Sequence, residues 1–333
     1  MKIYLLFLIG TLVFLSSCFK EDDRVPAHNP GNVKTDTIAM TQYYKNQVYF
    51  DLGTGQAVGT HLKSDCDLGF ECSPDGWRVI LNTATFMMAA DAGIRPFGQA
   101  VDTTGLKFWY DKSDGNMDSL AIGKWFSVQG NDTVSNQHLY ILNRGMDEGG
   151  FELGFRQLSI DSLKNGTYYF RLSNLNGTNQ QAYAVKKDPA YNFMYFTFKF
   201  GGVVKEIEPP KNSYDLVFTQ YTTLLFTDAG EPYPYLVTGV LINRNAVEVA
   251  VDSVSAFESI TIDKLNGYTY SRRLDYIGYE WKHYSFDLGS YTVDSKLTYI
   301  IRDTEGIYYK MRFISFYNAL GQKGYPVIEF QAL

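Results

Sequence analysis

The sequence predicts an all-β protein of twisted antiparallel sheets, and three observations carry that expectation. Apolar and polar residues alternate with a period of two, turn dipeptides recur at short intervals, and the chain is rich in aromatics (26 Tyr, 23 Phe) with no long capped helical stretch. Over 193–200, Met194, Phe196, Phe198 and Phe200 form one apolar face, with Thr197 and Lys199 on the other. Val247, Val249 and Val251 share a face opposite Glu248. Segments 293–302 and 307–317 alternate in the same way, and Asp303-Thr304-Glu305-Gly306 reads as the hairpin connection between them. Asp75-Gly76, Asp114-Gly115, Asn165-Gly166, Asn176-Gly177 and Asn266-Gly267 supply the turn chemistry.

These elements recur in order. Val48–Gly53 through Val58, then Cys66-Asp67-Leu68-Gly69-Phe70, aligns with Phe196–Gly201 through Val204, then Tyr214-Asp215-Leu216-Val217-Phe218. Each half follows with a strand ending in Asn (Asn82, Asn243). Next comes an Ile-Gly-x-Trp-like element, Ile122–Trp125 against Ile277–Trp281, and then a strand pair, 139–142 with 151–158 against 298–301 with 307–313. The pattern predicts a duplicated module of about 140 residues. The two copies share one core or hold one each.

The N-terminus reads as a lipoprotein leader. Lys2 precedes an apolar run over 3–16, which matches a signal-peptide core and is shorter than the roughly 20 residues a spanning helix needs. Leu15-Ser16-Ser17-Cys18 resembles a bacterial lipobox, with Cys18 as the lipidated residue; two or more acyl chains hold a protein stably on a bilayer. The charged run Lys20-Glu21-Asp22-Asp23 resembles the export signal of Bacteroidetes surface lipoproteins. The expected location is therefore the outer membrane, lipid-anchored and facing the cell exterior. The expected organisation is a leader over 1–18, a polar stalk over 19–44, a first β module over 45–192 and a second over 193–333.

Several function classes are disfavoured. The net charge of −6 leaves no basic patch for nucleic acid. There is no Gly-x-Ser-x-Gly elbow, phosphate-cradling Gly loop or His-Glu-x-x-His helix, so the chain is not expected to be an enzyme. Cys66 and Cys72 read as free thiols, because an extended six-residue segment spans about 20 Å, beyond disulfide reach. With His61 they do not have the spacing of a zinc site. Five Asp-Ser/Thr-apolar triplets, beginning at Asp36, Asp118, Asp132, Asp161 and Asp252, resemble an O-glycosylation sequon of exported Bacteroidetes proteins and equally suit turns.

A family resemblance lies in the second half. Tyr195–Val204, Ser213–Phe218, Ile277–Lys282, Tyr308–Phe313 and Lys323-Gly324-Tyr325-Pro326 together resemble the HmuY family of Bacteroidetes lipoproteins, well over 193–333 and weakly over 45–190. The resemblance implies a twisted all-β fold of two HmuY-like modules, capture of haem, and its transfer to a TonB-dependent outer-membrane receptor. Haem iron takes imidazole or thioether ligands in an apolar pocket. Members that ligate haem twice place His or Met in two loops, which correspond here to 243–255 and 282–290. The first loop has neither residue type; the second has His283 beside Tyr284, which are the haem-binding candidates on this reading. His283 otherwise reads as a surface histidine, His138 as exposed at a strand start, and Met87-Met88 as core packing. Tyr221, Tyr233, Tyr235, Tyr279 and Tyr284 could stack on a macrocycle or a sugar, or form the rims of a β core. The alternative function is a surface binding or scaffold module for another ligand, such as a glycan, accessory to an outer-membrane receptor.

Overall fold

The computed structural model describes residues 30–129 and 132–333. Cys18, the charged run after it and the beginning of the stalk lie outside the described residues. The first half carries β1 (Lys34–Thr37), β2 (Asn46–Asp51), β3 (Gln56–Leu62), β4 (Leu68–Glu71), β5 (Val79–Leu81), β6 (Met88–Ile94), β7 (Phe126–Gln129), β8 (Asp132–Ser135), β9 (His138–Asn143), β10 (Phe155–Lys164) and β11 (Thr167–Asn174). The second half repeats the order as β12 (Gln181–Lys186), β13 (Phe193–Thr197), β14 (Val203–Lys205), β15 (Leu216–Phe226), β16 (Pro232–Ile242), β17 (Glu248–Asp252), β18 (Lys282–Ser285), β19 (Ser290–Val293), β20 (Thr298–Arg302), β21 (Tyr308–Tyr317) and β22 (Lys323–Ala332). The fold is all-β, as the periodicity predicts.

Sheet pairing crosses between the halves. One five-stranded sheet runs β1-β22-β21-β20-β17, and its counterpart runs β12-β11-β10-β9-β6. One four-stranded sheet runs β16-β15-β2-β3, and its counterpart runs β5-β4-β13-β14. The pairs β7-β8 and β18-β19 form separate hairpins. So β1 and β2 of the first half pair with β22 and β15 of the second, while β12 and β13 pair with β11 and β4 of the first.

Burial follows the same exchange. One core joins Ile38, Met40, Val48 and Phe50 to residues between Leu216 and Phe330; the other runs from Leu68 to Phe196. The expected division between residues 192 and 193 falls one strand after the β11–β12 break of the repeat, and in space each core draws on both sides of it. Trp125 and Trp281, the paired signposts of the repeat, are both fully buried. Trp281 stacks on Phe313 with ring centroids 3.7 Å apart, and Trp125 donates to the Trp77 carbonyl at 2.9 Å.

A buried aspartate fastens each exchanged strand. The Asp215 amide donates to the Phe50 carbonyl, and its carboxylate accepts from the Leu52 amide (2.9 Å), the Thr304 amide (3.0 Å) and the Thr304 hydroxyl (3.1 Å). Asp67 repeats the arrangement: its amide donates to Phe196 O, and its carboxylate accepts from the Phe198 amide (2.7 Å) and from Arg144 Nε (2.7 Å). The paired asparagines complete each clamp. Asn82 donates to the carbonyls of Lys63 and Cys66, and Asn243 donates to those of Lys211 and Tyr214.

The structure corrects three local expectations. The stalk ends before residue 44: β1 pairs with β22, and Ile38 and Met40 are buried, because their apolar side chains fill the core beside Phe330. The strand over 193–200 stops at Thr197. A short turn follows in which Phe200 adopts φ 58° and is 85% exposed, ahead of two positive-φ glycines. Val251 is exposed rather than sharing the buried face of Val247 and Val249; its neighbour Ala250 packs with Ile260 and Ile300 instead. Cys66 and Cys72 are buried, unbridged thiols.

Between the two four-stranded sheets lies a cavity of about 120 Å³ lined by Tyr49, Tyr195, Tyr214 and Glu208. Glu208 accepts from the Asn192 amide (2.9 Å) and side chain (2.6 Å), yet burial outweighs these bonds and pushes its carboxyl up to about 7.

Substitution of each of these three buried acids has its own expected effect on stability. Asp215→Ala is expected to lower the unfolding free energy by about 2–3 kcal/mol by stranding its donors. Asp67→Ala is expected to cost about 3–5 kcal/mol, because the buried Arg144 loses its partner as well. Urea unfolding midpoints should fall in that order, and unchanged midpoints would contradict the clamps. For Glu208 the folded state binds the proton more tightly than the unfolded chain, so its contribution is fully present below about pH 4.5 and is lost as pH rises to about 7. Glu208→Gln should match the parent near pH 4.5 and exceed it at pH 8 by up to about 3 kcal/mol. A stability difference independent of pH would show that this acid is not the source.

Candidate functional site

A cleft of about 1030 Å³ is lined by residues from both halves of the chain. It is built by the turn at 42–45 before β2, the residues from Thr85 to Met88 at the start of β6, the β9–β10 connection from Gly145 to Gly154 and residues 234–236 of β16, with Lys63 and Lys323 beside them. Its volume stands at the upper end of small-molecule pockets.

The β6 wall is set by a sharp local turn. Asn82 caps a short 3-10 turn over Thr83–Thr85 by accepting from the Ala84 amide at 3.1 Å, and Phe86 closes the turn in the left-handed region (φ 65°). In the extended chain after the turn successive side chains point to opposite faces, which separates the adjacent methionines. Met87 is fully buried in the core, whereas Met88 is half-buried and lines the cleft.

The β9–β10 connection forms a second wall and brings another thioether. Gly145 lies at φ +68°, where an added Cβ would stand 1.8 Å from the Thr85 carbonyl oxygen, and the Met146 amide donates to that same oxygen at 2.9 Å. The rest of the loop is folded on Asp147, whose Oδ1 accepts from the Gly149 and Phe151 amides. Met146 is half-exposed and lines the cleft with Phe155 of β10. Tyr44, Tyr235 and Leu236 complete the apolar and aromatic lining, and Lys45, Lys63, Lys323, Asp147, Glu148 and Glu152 bring charge to it.

The second half has no equivalent of this wall, because Asp303–Gly306 closes β20 to β21 in a tight turn. The position matching Met88 is also different. Met88 faces Asn143 across the sheet as Glu248 faces Arg302, and Glu248 is ion-paired with Arg272 and Arg302.

The family model described as HmuY protein matches residues 43–330. This chain belongs to the HmuY family. The match spans both halves, whereas the sequence motifs carry the resemblance mainly over 193–333. No curated protein matches the sequence. Among solved structures, this HmuY-family chain is similar to the apo HmuY analogue (TFO) of Tannerella forsythia. That alignment has 10% identity and a TM-score of 0.27, and covers 92% of this chain and 98% of the other. Apo PinO from Porphyromonas gingivitis aligns at 10% identity with a TM-score of 0.27, over 91% of this chain and 97% of its own.

In this HmuY-family chain the sequence-derived candidates lie elsewhere. His283 sits on β18, exposed, with Nε2 2.7 Å from the Thr292 hydroxyl on β19. Tyr284 is exposed and meets Phe286 and Tyr291 edge to face. Neither residue lines the cleft. His138 pairs with Asp91 at 2.7 Å, and His61 contacts the Leu62 carbonyl beside the Tyr49 ring. Of the tyrosines, Tyr221 is fully buried with its hydroxyl unpartnered, Tyr233 and Tyr235 are exposed, and Tyr235 alone of the five lines the cleft. Met146 was not a sequence candidate; its signal is the glycine punctuation at Gly145, Gly149, Gly150 and Gly154 around it.

The two loop glycines should respond differently to substitution. Gly145→Ala, with a backbone oxygen in the way, is expected to cost about 3 kcal/mol, and Gly150→Ala, at φ +80° in open space, about 1 kcal/mol. Equal losses in thermal unfolding would mean that Gly145 does not anchor the wall to Thr85.

Proposed function

We propose that this chain captures haem in this cleft, with Met88 and Met146 as the axial donors available there. The observation that carries the reading is the gathering of two thioethers with Tyr44, Tyr235, Leu236 and Phe155 around a space large enough for a flat macrocycle. Thioether sulfur is a soft ligand suited to haem iron, and aromatic rings stack on a porphyrin face. Membership of the HmuY family supports the same ligand. On this reading the protein is a binding protein rather than an enzyme. It is held on the outer membrane through lipid on Cys18, faces the cell exterior, and passes its cargo to a TonB-dependent receptor. His283 and Tyr284, on the β18–β19 hairpin, are the competing ligand position.

Titration of the soluble chain with haemin, oxidised and reduced, tests this. A Soret shift is expected, stronger for the reduced form because a thioether favours ferrous iron. Met88→Ala or Met146→Ala should weaken binding by about tenfold or more, equivalent to about 1.4 kcal/mol, while His283→Ala leaves it unchanged. Absence of any shift would overturn haem capture. Loss confined to His283→Ala would move the site to the hairpin.

A further inference from the structure

We infer that the cleft takes a macrocycle with carboxylates along one edge, and that Lys45 and Lys323 hold those carboxylates. The inference rests on the cleft being the binding site and adds the ligand's orientation and the chemistry of its edge.

Lys45 and Lys323 both line the cleft and are both exposed. Among the described residues neither ammonium is paired with a carboxylate, in contrast to Lys199 and Lys205, which share Asp65. Each instead lies near an aromatic ring of the same turn: Lys45 Nζ is 5.9 Å from the Tyr43 centroid, and Lys323 Nζ is 5.8 Å from that of Tyr44.

The turn that presents Lys45 is strained. Thr41 and Tyr44 both adopt positive φ (70° and 53°), a conformation that a β-branched residue rarely tolerates. The turn is held by the Tyr44 amide donating to Thr41 O and the Lys45 amide donating to Thr41 Oγ1. Gly324, next to Lys323, is packed so closely that an added Cβ would stand 2.1 Å from Thr41 O. Strain of this kind persists where surrounding structure over-determines it, and the packing of Gly324 on Thr41 sets the backbone of Lys45 beside that of Lys323.

Charge elsewhere in the cleft favours one orientation. Asp147, Glu148 and Glu152 all belong to the β9–β10 connection, and would repel a carboxylate placed there. Carboxylates therefore belong at the Lys45–Lys323 rim, with the apolar body of the macrocycle lying toward Met88 and Phe155.

Comparison of haemin with its dimethyl ester on the full chain tests the inference. The parent protein is expected to bind haemin about three- to tenfold more tightly than the ester, and the preference should shrink as salt is raised. In Lys45→Ala/Lys323→Ala, haemin affinity should fall to that of the ester, and ester affinity should not change. Equal affinities in the parent protein would overturn the inference while leaving haem capture standing. A preference that survives in the double variant would assign the carboxylates to other groups and overturn it equally. Failure of both porphyrins to bind would remove the reading on which it rests.

Discussion

The fold depends on two buried aspartates that fasten strands from one half of the chain into the sheets of the other. Asp215 receives the Leu52 amide just after β2, and Asp67 receives the Phe198 amide just after β13. Without those acceptors, the amides at the point where the chain leaves each exchanged strand would be buried without a partner, a cost that a native structure rarely tolerates. The two clamps are satisfied differently. Asp215 is completed by Thr304 of a tight hairpin and has no cation paired with it among the described residues, and burial pushes it up to about 6. Asp67 is completed by the buried guanidinium of Arg144.

That difference separates the half that brings both thioethers to the cleft from the half that brings none. Arg144 opens the long β9–β10 connection, so the group that completes the Asp67 clamp precedes directly the residues from Gly145 onward that line the cleft. In the second half the equivalent connection is spent on the Thr304 turn, and Glu248, at the position of Met88, is taken up by two arginines. Duplication therefore yields two similar cores and one cleft with thioethers on two of its walls.

The elements of the fold were legible in the sequence because strand periodicity and turn dipeptides are local signals. Asn165-Gly166, for example, sits at positive φ in both residues between β10 and β11, as a two-residue hairpin requires. The repeat was legible through Asp67 and Asp215, Asn82 and Asn243, and Trp125 and Trp281. The exchange of strands was not, since nothing local in β2 distinguishes pairing with β4 from pairing with β15. The cleft was hidden for the same reason: Tyr44, Met88, Met146 and Tyr235 are far apart in sequence and are gathered only by the crossed pairing. The Met87-Met88 pair shows the limit most clearly. Its core reading holds for Met87, whereas Met88, the next residue of the extended chain and so on the opposite face, lines the cleft.

The most direct test of this account is hydrogen–deuterium exchange with and without haemin. Ligand in the cleft should slow exchange in peptides covering 42–45, 85–88, 145–155 and 234–236, and leave the 282–293 hairpin unaltered. Protection confined to 282–293, around His283 and Tyr284, would contradict it.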